Sequence, residues 1–244
     1  MLMKKFLTAL SQVKLTQIAI KWEQCHLCNW KLQLKINNDE MGVRCCHCFA
    51  SPVSQEMGFV FKQYMHKDRK DVYELSSRGA FVRFLKRQNC KLTLSEYYEN
   101  EENGQYSNGI WCQNVEKLTF ASNSFDICTS LEVFEHVEND LLGFQEIYRV
   151  LKSTGVLIFT VPLDLNKKTT ERTAVINNKR KNILPPEYHS DTIRGTAKVF
   201  CFRNYGSDIV DRLHQAGFKH CKIHTPPESK LFGFARPVII AMKS

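Results

Sequence analysis

The chain has 244 residues, 43% hydrophobic and 24% charged, which suits a globular protein of one or two domains and excludes a disordered or fibrous one. Its net charge of +9 fits either plain solubility or a basic face for an anionic partner, such as nucleic acid, a nucleotide conjugate or a phospholipid headgroup. No apolar run approaches the ~20 residues that span a membrane, and ten cysteines suit a reducing, cytoplasmic setting in which thiols stay free or hold metal.

Leu2, Phe6, Leu10 and Val13 recur at helical spacing, so the start reads as a short amphipathic helix. Its apolar run is too short for a secretory leader. Next comes Cys25-His26-Leu27-Cys28 and, after a sixteen-residue spacer, Cys45-Cys46-His47-Cys48. Two CxxC pairs at this separation predict a Zn²⁺ site held by Cys25, Cys28, Cys45 and Cys48, because four thiolates complete a tetrahedron. Cys46, His26 and His47 are substitute ligands within reach. Trp30–Ile36 alternates apolar and polar and runs into Asn37-Asn38-Asp39, a strand and turn as in a zinc ribbon. A closed four-thiolate site is structural, since no coordination position stays open for chemistry. Cys90, Cys112, Cys128, Cys201 and Cys221 are scattered and carry no assigned role.

Beyond residue 56, strand and helix patterns alternate, which predicts an α/β fold. Strands are expected at Asp71–Leu75, Lys91–Leu94, Gly109–Gln113, Phe125–Ser130, Gly155–Val161, Phe218–His224 and Pro237–Met242. Helices are expected at Gly79–Arg87, Asp140–Leu151 and Tyr205–Ala216, the last stopped by Gly217. Residues 163–203 form a long insertion with Arg172, Pro185-Pro186-Glu187-Tyr188-His189 and Arg203, read as a substrate-binding lid. Basic residues gather there at Lys167, Lys168, Lys179, Arg180 and Lys181.

Five segments in series carry a resemblance. Glu74-Leu75-Ser76-Ser77-Arg78-Gly79-Ala80 resembles the first motif of class I S-adenosylmethionine-dependent methyltransferases, an acid ending a strand and then a small-residue loop. Ser95-Glu96 resembles the second motif, and Cys112–Phe120 the third, usually written GDAEXLPF. Asn123–Asp126 with Glu132–Val137 resembles the fourth-strand signature, and Arg149–Gly155 the RVLKPGG turn. The match covers about residues 70–243, of the type 11 kind. It departs from the pattern where Gly79 stands alone in place of GxGxG, where Thr119 replaces Pro and where Ser153-Thr154 replace Pro-Gly. The ELSSRG loop is similar to that of one methyltransferase subgroup, which makes this a variant site.

The resemblance implies a Rossmann-like fold with a mostly parallel seven-stranded sheet and an antiparallel C-terminal strand. The zinc-ribbon-like segment would occupy residues 1–56 and the catalytic domain residues 57–244. It implies that S-adenosylmethionine binds at Glu74, Ser76, Gly79, Glu96, Asn114, Val115 and Ser130. Glu74 would organise the loop and the cofactor's cationic methionine end. Glu96, 22 residues further on, would receive ribose hydroxyls, and the Asn114 amide oxygen would meet the adenine amine. His136 and His189 are the candidate bases, since imidazole titrates near neutral pH. The acceptor would be a small molecule or an anionic conjugate, with nucleic acid retained as a partner. The other readings are a non-catalytic methyltransferase fold whose zinc ribbon binds nucleic acid or protein, and a dinucleotide oxidoreductase. The lone Gly79 argues against the oxidoreductase.

Overall fold

The structure, a computed structural model, describes residues 15–65, 68–177, 179–190 and 198–243, without the Ser190 side chain. The helix expected over Leu2–Val13 lies outside them. The chain forms two compact units, Met1–His66 with Gly79–Gln88 and His224–Val238, and Lys67–Arg78 with Asn89–Ile223 and Ile239–Ser244.

In the first unit, β1 (Ala19–Trp22), β2 (Leu32–Lys35) and β3 (Val43–Cys45) form an antiparallel sheet in that order. The Asn37–Asp39 turn expected between β2 and β3 is held by Asp39, whose carboxylate accepts from Met41 N at 2.7 Å. Then α1 (Pro52–Tyr64) starts where the Ser51 hydroxyl accepts from Ser54 N, with Pro52 in the first turn, where its missing N–H costs nothing. In α2 (Gly79–Leu85), Phe81 and Phe84 meet Phe61 of α1 edge-on, with ring centroids 5.9 and 6.0 Å apart. Gln33 and Gln55, both fully buried, exchange amide hydrogen bonds of 3.1 and 3.0 Å, so neither leaves a polar group unsatisfied.

The second unit holds β4 (Lys70–Glu74), β5 (Cys90–Glu96), β6 (Tyr106–Ser107), β7 (Ile110–Cys112), β8 (Phe125–Leu131), α3 (Asp140–Val150) and β9 (Leu151–Thr160). The insertion is not a plain loop. It carries β10 (Leu163–Asp164), β11 (Thr170–Glu171), β12 (Thr173–Ile176), β13 (Lys179–Asn182), β14 (Tyr188–Ser190), β15 (Lys198–Phe200) and β16 (Arg203–Gly206). The chain ends in α4 (Ile209–Gln215), β17 (His220–His224) and β18 (Val238–Met242). The main sheet has eight strands in the order β17-β18-β9-β8-β4-β5-β7-β6. Pairings β9/β8, β8/β4, β4/β5 and β5/β7 are parallel, and β18/β9 is antiparallel. This is the Rossmann-like arrangement expected, the eighth strand being the two-residue edge β6.

Two starting points in this unit shift by four residues, and β9 begins at Leu151, ahead of the expected Gly155. The helix expected from Tyr205 begins only at Ile209, because Tyr205 and Gly206 lie in β16. A Cβ on Gly206 would sit 2.3 Å from Lys167 O, so only glycine permits this close strand approach. The core of the unit gathers on Phe134, Phe144 and Phe159, all fully buried, with Phe134 stacked on Phe144 at 4.3 Å. Each ring contributes about 2–3 kcal/mol by burial.

Candidate functional site

The two CxxC turns are built alike. Asn29 N donates to Cys25 O at 2.9 Å, and Phe49 N to Cys45 O at 3.0 Å. Asn29 and Phe49, the residues just after each pair, are left-handed at φ 62° and 59°. The turns bring the four predicted ligands together. Cys25 Sγ lies 3.6 Å from Cys48 Sγ, Cys28 Sγ lies 3.6 Å from Cys45 Sγ, and all four fall within 4.8 Å of one another. The edge of a tetrahedron with arms of ~2.3 Å is about 3.8 Å, so the sulfurs fit zinc. The hydrogen bond shared by Cys25 and Cys48 holds the Cys25 thiol high and pulls Cys48 down to about 5. The substitute ligands stay outside the cluster: His47 stacks on Trp30 and His26 sits against Phe59.

In the main sheet, β4 has the next sequential strand, β5, on one side and β8 on the other, so strand order reverses between β4 and β8. Ligands of open α/β sheets bind outside the strand ends at such a point. Glu74 ends β4 and is fully buried. The Ser76 hydroxyl donates to its Oε1 at 2.6 Å and the Thr129 hydroxyl to its Oε2 at 2.5 Å. Burial pushes the Glu74 carboxyl up to about 8 in spite of those donors. Ser130, next along β8, is fully buried, and its hydroxyl finds no hydrogen-bond partner among the described residues; the same holds for the Thr160 hydroxyl at the end of β9. Unsatisfied buried polar atoms cost roughly 1–3 kcal/mol each, and they sit here at the strand ends.

Glu96, at the end of β5, accepts from Ser77 N at 3.0 Å and from the Ser77 hydroxyl at 2.8 Å, both on Oε1. One oxygen of the predicted ribose acid therefore anchors the loop after β4. Asn114 Oδ1 caps the turn at Val115–Lys117 by accepting from Glu116 N at 2.9 Å, and Val115 is a core residue. That oxygen keeps a second lone pair for a further donor. Gly79, in the other unit, opens α2 at φ +96°, and a Cβ built there meets nothing within 4 Å. A groove of about 470 Å³ at the amino ends of β4 and β8, lined by Asp71, Lys91 and Phe125, holds none of the predicted residues.

Beyond β8 the chain turns sharply. Glu132 is left-handed, φ 52°, and donates its N–H to Thr160 O at 3.0 Å. Phe134 plugs the core, which fixes Glu135 and His136 beside it in a short 3-10 turn. Glu135 is 1% exposed. The insertion folds back here: Phe202 N donates to Glu135 O and Phe200 O lies 2.8 Å from His136 Nδ1. The predicted pair meets, with the His136 and His189 rings edge to face at 5.1 Å. Sequence reasoning gave no role to Glu135, which lies near both rings, or to Cys201, whose Sγ lies 3.8 Å from His136 Nδ1. Glu135 stands next to His136 in the chain, which was a usable signal; Cys201 gave none. Burial, with Glu135 and Glu187 nearby, pushes the Cys201 thiol up to about 12. Arg203, expected in a substrate lid, is a buried strut: it donates to Phe134 O, Val137 O and Glu138 O at 3.2, 2.6 and 2.8 Å.

Residues 74–159 match the family model of a methyltransferase domain, so the resemblance read from the motifs is shown over that segment. An uncharacterized protein of Methanocaldococcus jannaschii is 37% identical over 67 residues, a match spanning 28% of this chain and 28% of that relative. An S-adenosylmethionine-dependent methyltransferase structure from Mesorhizobium loti is 14% identical, covering 76% of this chain and 96% of its own at a TM-score of 0.47. One from Aquifex aeolicus is 15% identical, covering 78% and 90% at 0.45.

Proposed function

We propose that the chain is an S-adenosylmethionine-dependent methyltransferase, with the cofactor at the ends of β4, β5 and β8 and the acceptor beyond β8. The single observation behind this reading is the buried polar set at the strand reversal. Glu74 is a carboxyl whose ionisation burial opposes, and Ser130 is a hydroxyl without a partner among the described residues. A ligand presenting a cation and hydrogen-bonding groups completes both, and the cofactor's methionine end has that chemistry. When bound, the cofactor supplies a methyl group already activated on a sulfonium.

The protein's part is then placement. Glu74 and Ser76 hold the cationic end, Glu96 keeps the loop and faces the ribose, and Asn114 with Val115 borders the adenine. The catalytic side belongs to His136 and His189, which meet at the β8 end where an acceptor would enter. The Phe200 carbonyl accepts from Nδ1–H of His136, which fixes the neutral tautomer with the basic lone pair on Nε2. Exposed Lys179 and Lys181 on β13 favour an acceptor that carries negative charge. The four-cysteine cluster holds one structural Zn²⁺.

Calorimetric titration with S-adenosylhomocysteine tests the reading. Binding is expected, weakened about ten- to a hundredfold by Glu96→Ala through loss of a charged hydrogen-bond acceptor. No heat at millimolar ligand would overturn it. A methylation screen with labelled cofactor over small anionic molecules and RNA then identifies the acceptor.

A further inference from the structure

We infer that the insertion and the end of β8 form a second metal site, of zinc type, held by His136, His189 and Cys201 with Glu135 as fourth ligand. One ligand atom from each of His136, His189 and Cys201 lies within 4.8 Å of the other two. Glu135 Oε1 lies 3.6 Å from His136 Nε2 and 3.8 Å from His189 Nδ1. Those separations are too long for hydrogen bonds between nitrogen and oxygen and match the edges of a tetrahedron with arms of about 2.0–2.3 Å.

The surroundings suit a cation. Cys201 and Glu135 are 0% and 1% exposed, so two anion-forming groups are buried beside two imidazoles. A divalent ion offsets the cost of burying them as thiolate and carboxylate. His136 gives its other ring nitrogen to Phe200 O at 2.8 Å, the partner that fixes the tautomer of a metal-bound histidine. His189 Nε2 lies 3.3 Å from Glu187 Oε1, the carboxylate version of the same arrangement. A thiolate and two imidazoles select zinc or its cobalt substitute over magnesium or calcium. Bound there, the ion would clamp β14 and the segment after β15 to the turn after β8. With the ion bound, His136 and His189 would serve as ligands and not as bases, and a fourth ligand that yields would open a position for an acceptor oxygen.

The site stands on these side chains and not on methyl transfer, so metal analysis tests it apart from the proposed activity. Full-length protein is loaded with Zn²⁺, desalted and measured for zinc per chain, alongside Cys201→Ser, His189→Gln and Cys25→Ser. Two zinc ions are expected in the wild type and one in each variant, with Cys25→Ser losing the ion of the cysteine cluster. Co²⁺ replacement in Cys25→Ser should give a thiolate-to-cobalt charge-transfer band that disappears when Cys201→Ser is added. His189 is partly exposed, so His189→Gln reports even where Cys201→Ser fails to fold. Overturning results are one zinc in the wild type, or a content that Cys201→Ser and His189→Gln leave unchanged.

Discussion

Glu74 and Thr129 are register partners on the adjoining parallel strands β4 and β8, and the Thr129 hydroxyl donates to the Glu74 carboxyl at 2.5 Å. The pair marks the strand reversal, and it puts a titrating group where water does not reach.

Its consequence is a pH-dependent stability of unusual sign for a carboxyl. Burial raises Glu74 from 4.5 to about 8, so between those values the folded chain holds a proton that the unfolded chain has released. The stabilising contribution is full below about pH 4.5 and is lost as pH rises through 8. One proton corresponds to at most about 1.4 kcal/mol per pH unit. Glu74→Gln should remove this slope in urea denaturation measured from pH 5 to 9, since Thr129 can turn its hydroxyl to Tyr73 O, 3.4 Å away. An unchanged slope would place the titration elsewhere.

The same carboxyl should report the cofactor. A cation bound beside Glu74 favours its ionised form, so binding near pH 7 should release about one proton. Calorimetry in two buffers of different ionisation enthalpy reads that number directly. Zero release in the wild type, or equal release in Glu74→Gln, would separate Glu74 from the ligand.

Ser130 offers a cleaner division between stability and binding. Its hydroxyl is buried without a partner among the described residues, so Ser130→Ala removes an unsatisfied group and should leave the melting temperature equal or higher. Affinity for S-adenosylhomocysteine should fall about three- to tenfold through one lost neutral hydrogen bond. A destabilised variant with full affinity would contradict both halves.

For the cysteine cluster, Cys28→Ser should cut the zinc content and raise amide exchange across residues 19–45, where β1, β2 and β3 lie. Exchange in β4, β8 and β9 should change little. Equal protection in the zinc-free variant would show that the antiparallel sheet does not depend on metal.

Much of this was legible in the sequence, for definite reasons. Central strands such as Val156–Phe159 are apolar on both faces, the four ligands sit at fixed CxxC spacing, and Glu74 is an acid at a strand end with Ser76-Ser77 close behind. Other features were hidden. No helix was expected over Pro52–Tyr64, because Gln55 and Glu56 are buried among its apolar residues and blur the period; Glu56 is matched by Lys230 at 2.9 Å, far along the chain. The meeting of Cys201 with His136 is likewise a long-range contact, which no local spacing encodes.

Glu132 carries the last prediction. It is a non-glycine residue at φ 52°, in the left-handed region where a Cβ crowds the following carbonyl. Strain of this kind persists when neighbours over-determine the backbone, and here Thr160 O accepts from Glu132 N while Phe134, two residues on, is locked in the core. Glycine tolerates that φ, so Glu132→Gly should stabilise the fold by about 0.5–1 kcal/mol, or roughly 1–4 °C in Tm. The turn it holds places Glu135 and His136 at the end of β8, so the looser backbone should lower turnover once an acceptor is known. Thermal denaturation and a single-acceptor assay decide the point together. A variant that loses stability would mean that the Glu132 side chain, and not its backbone, secures the turn.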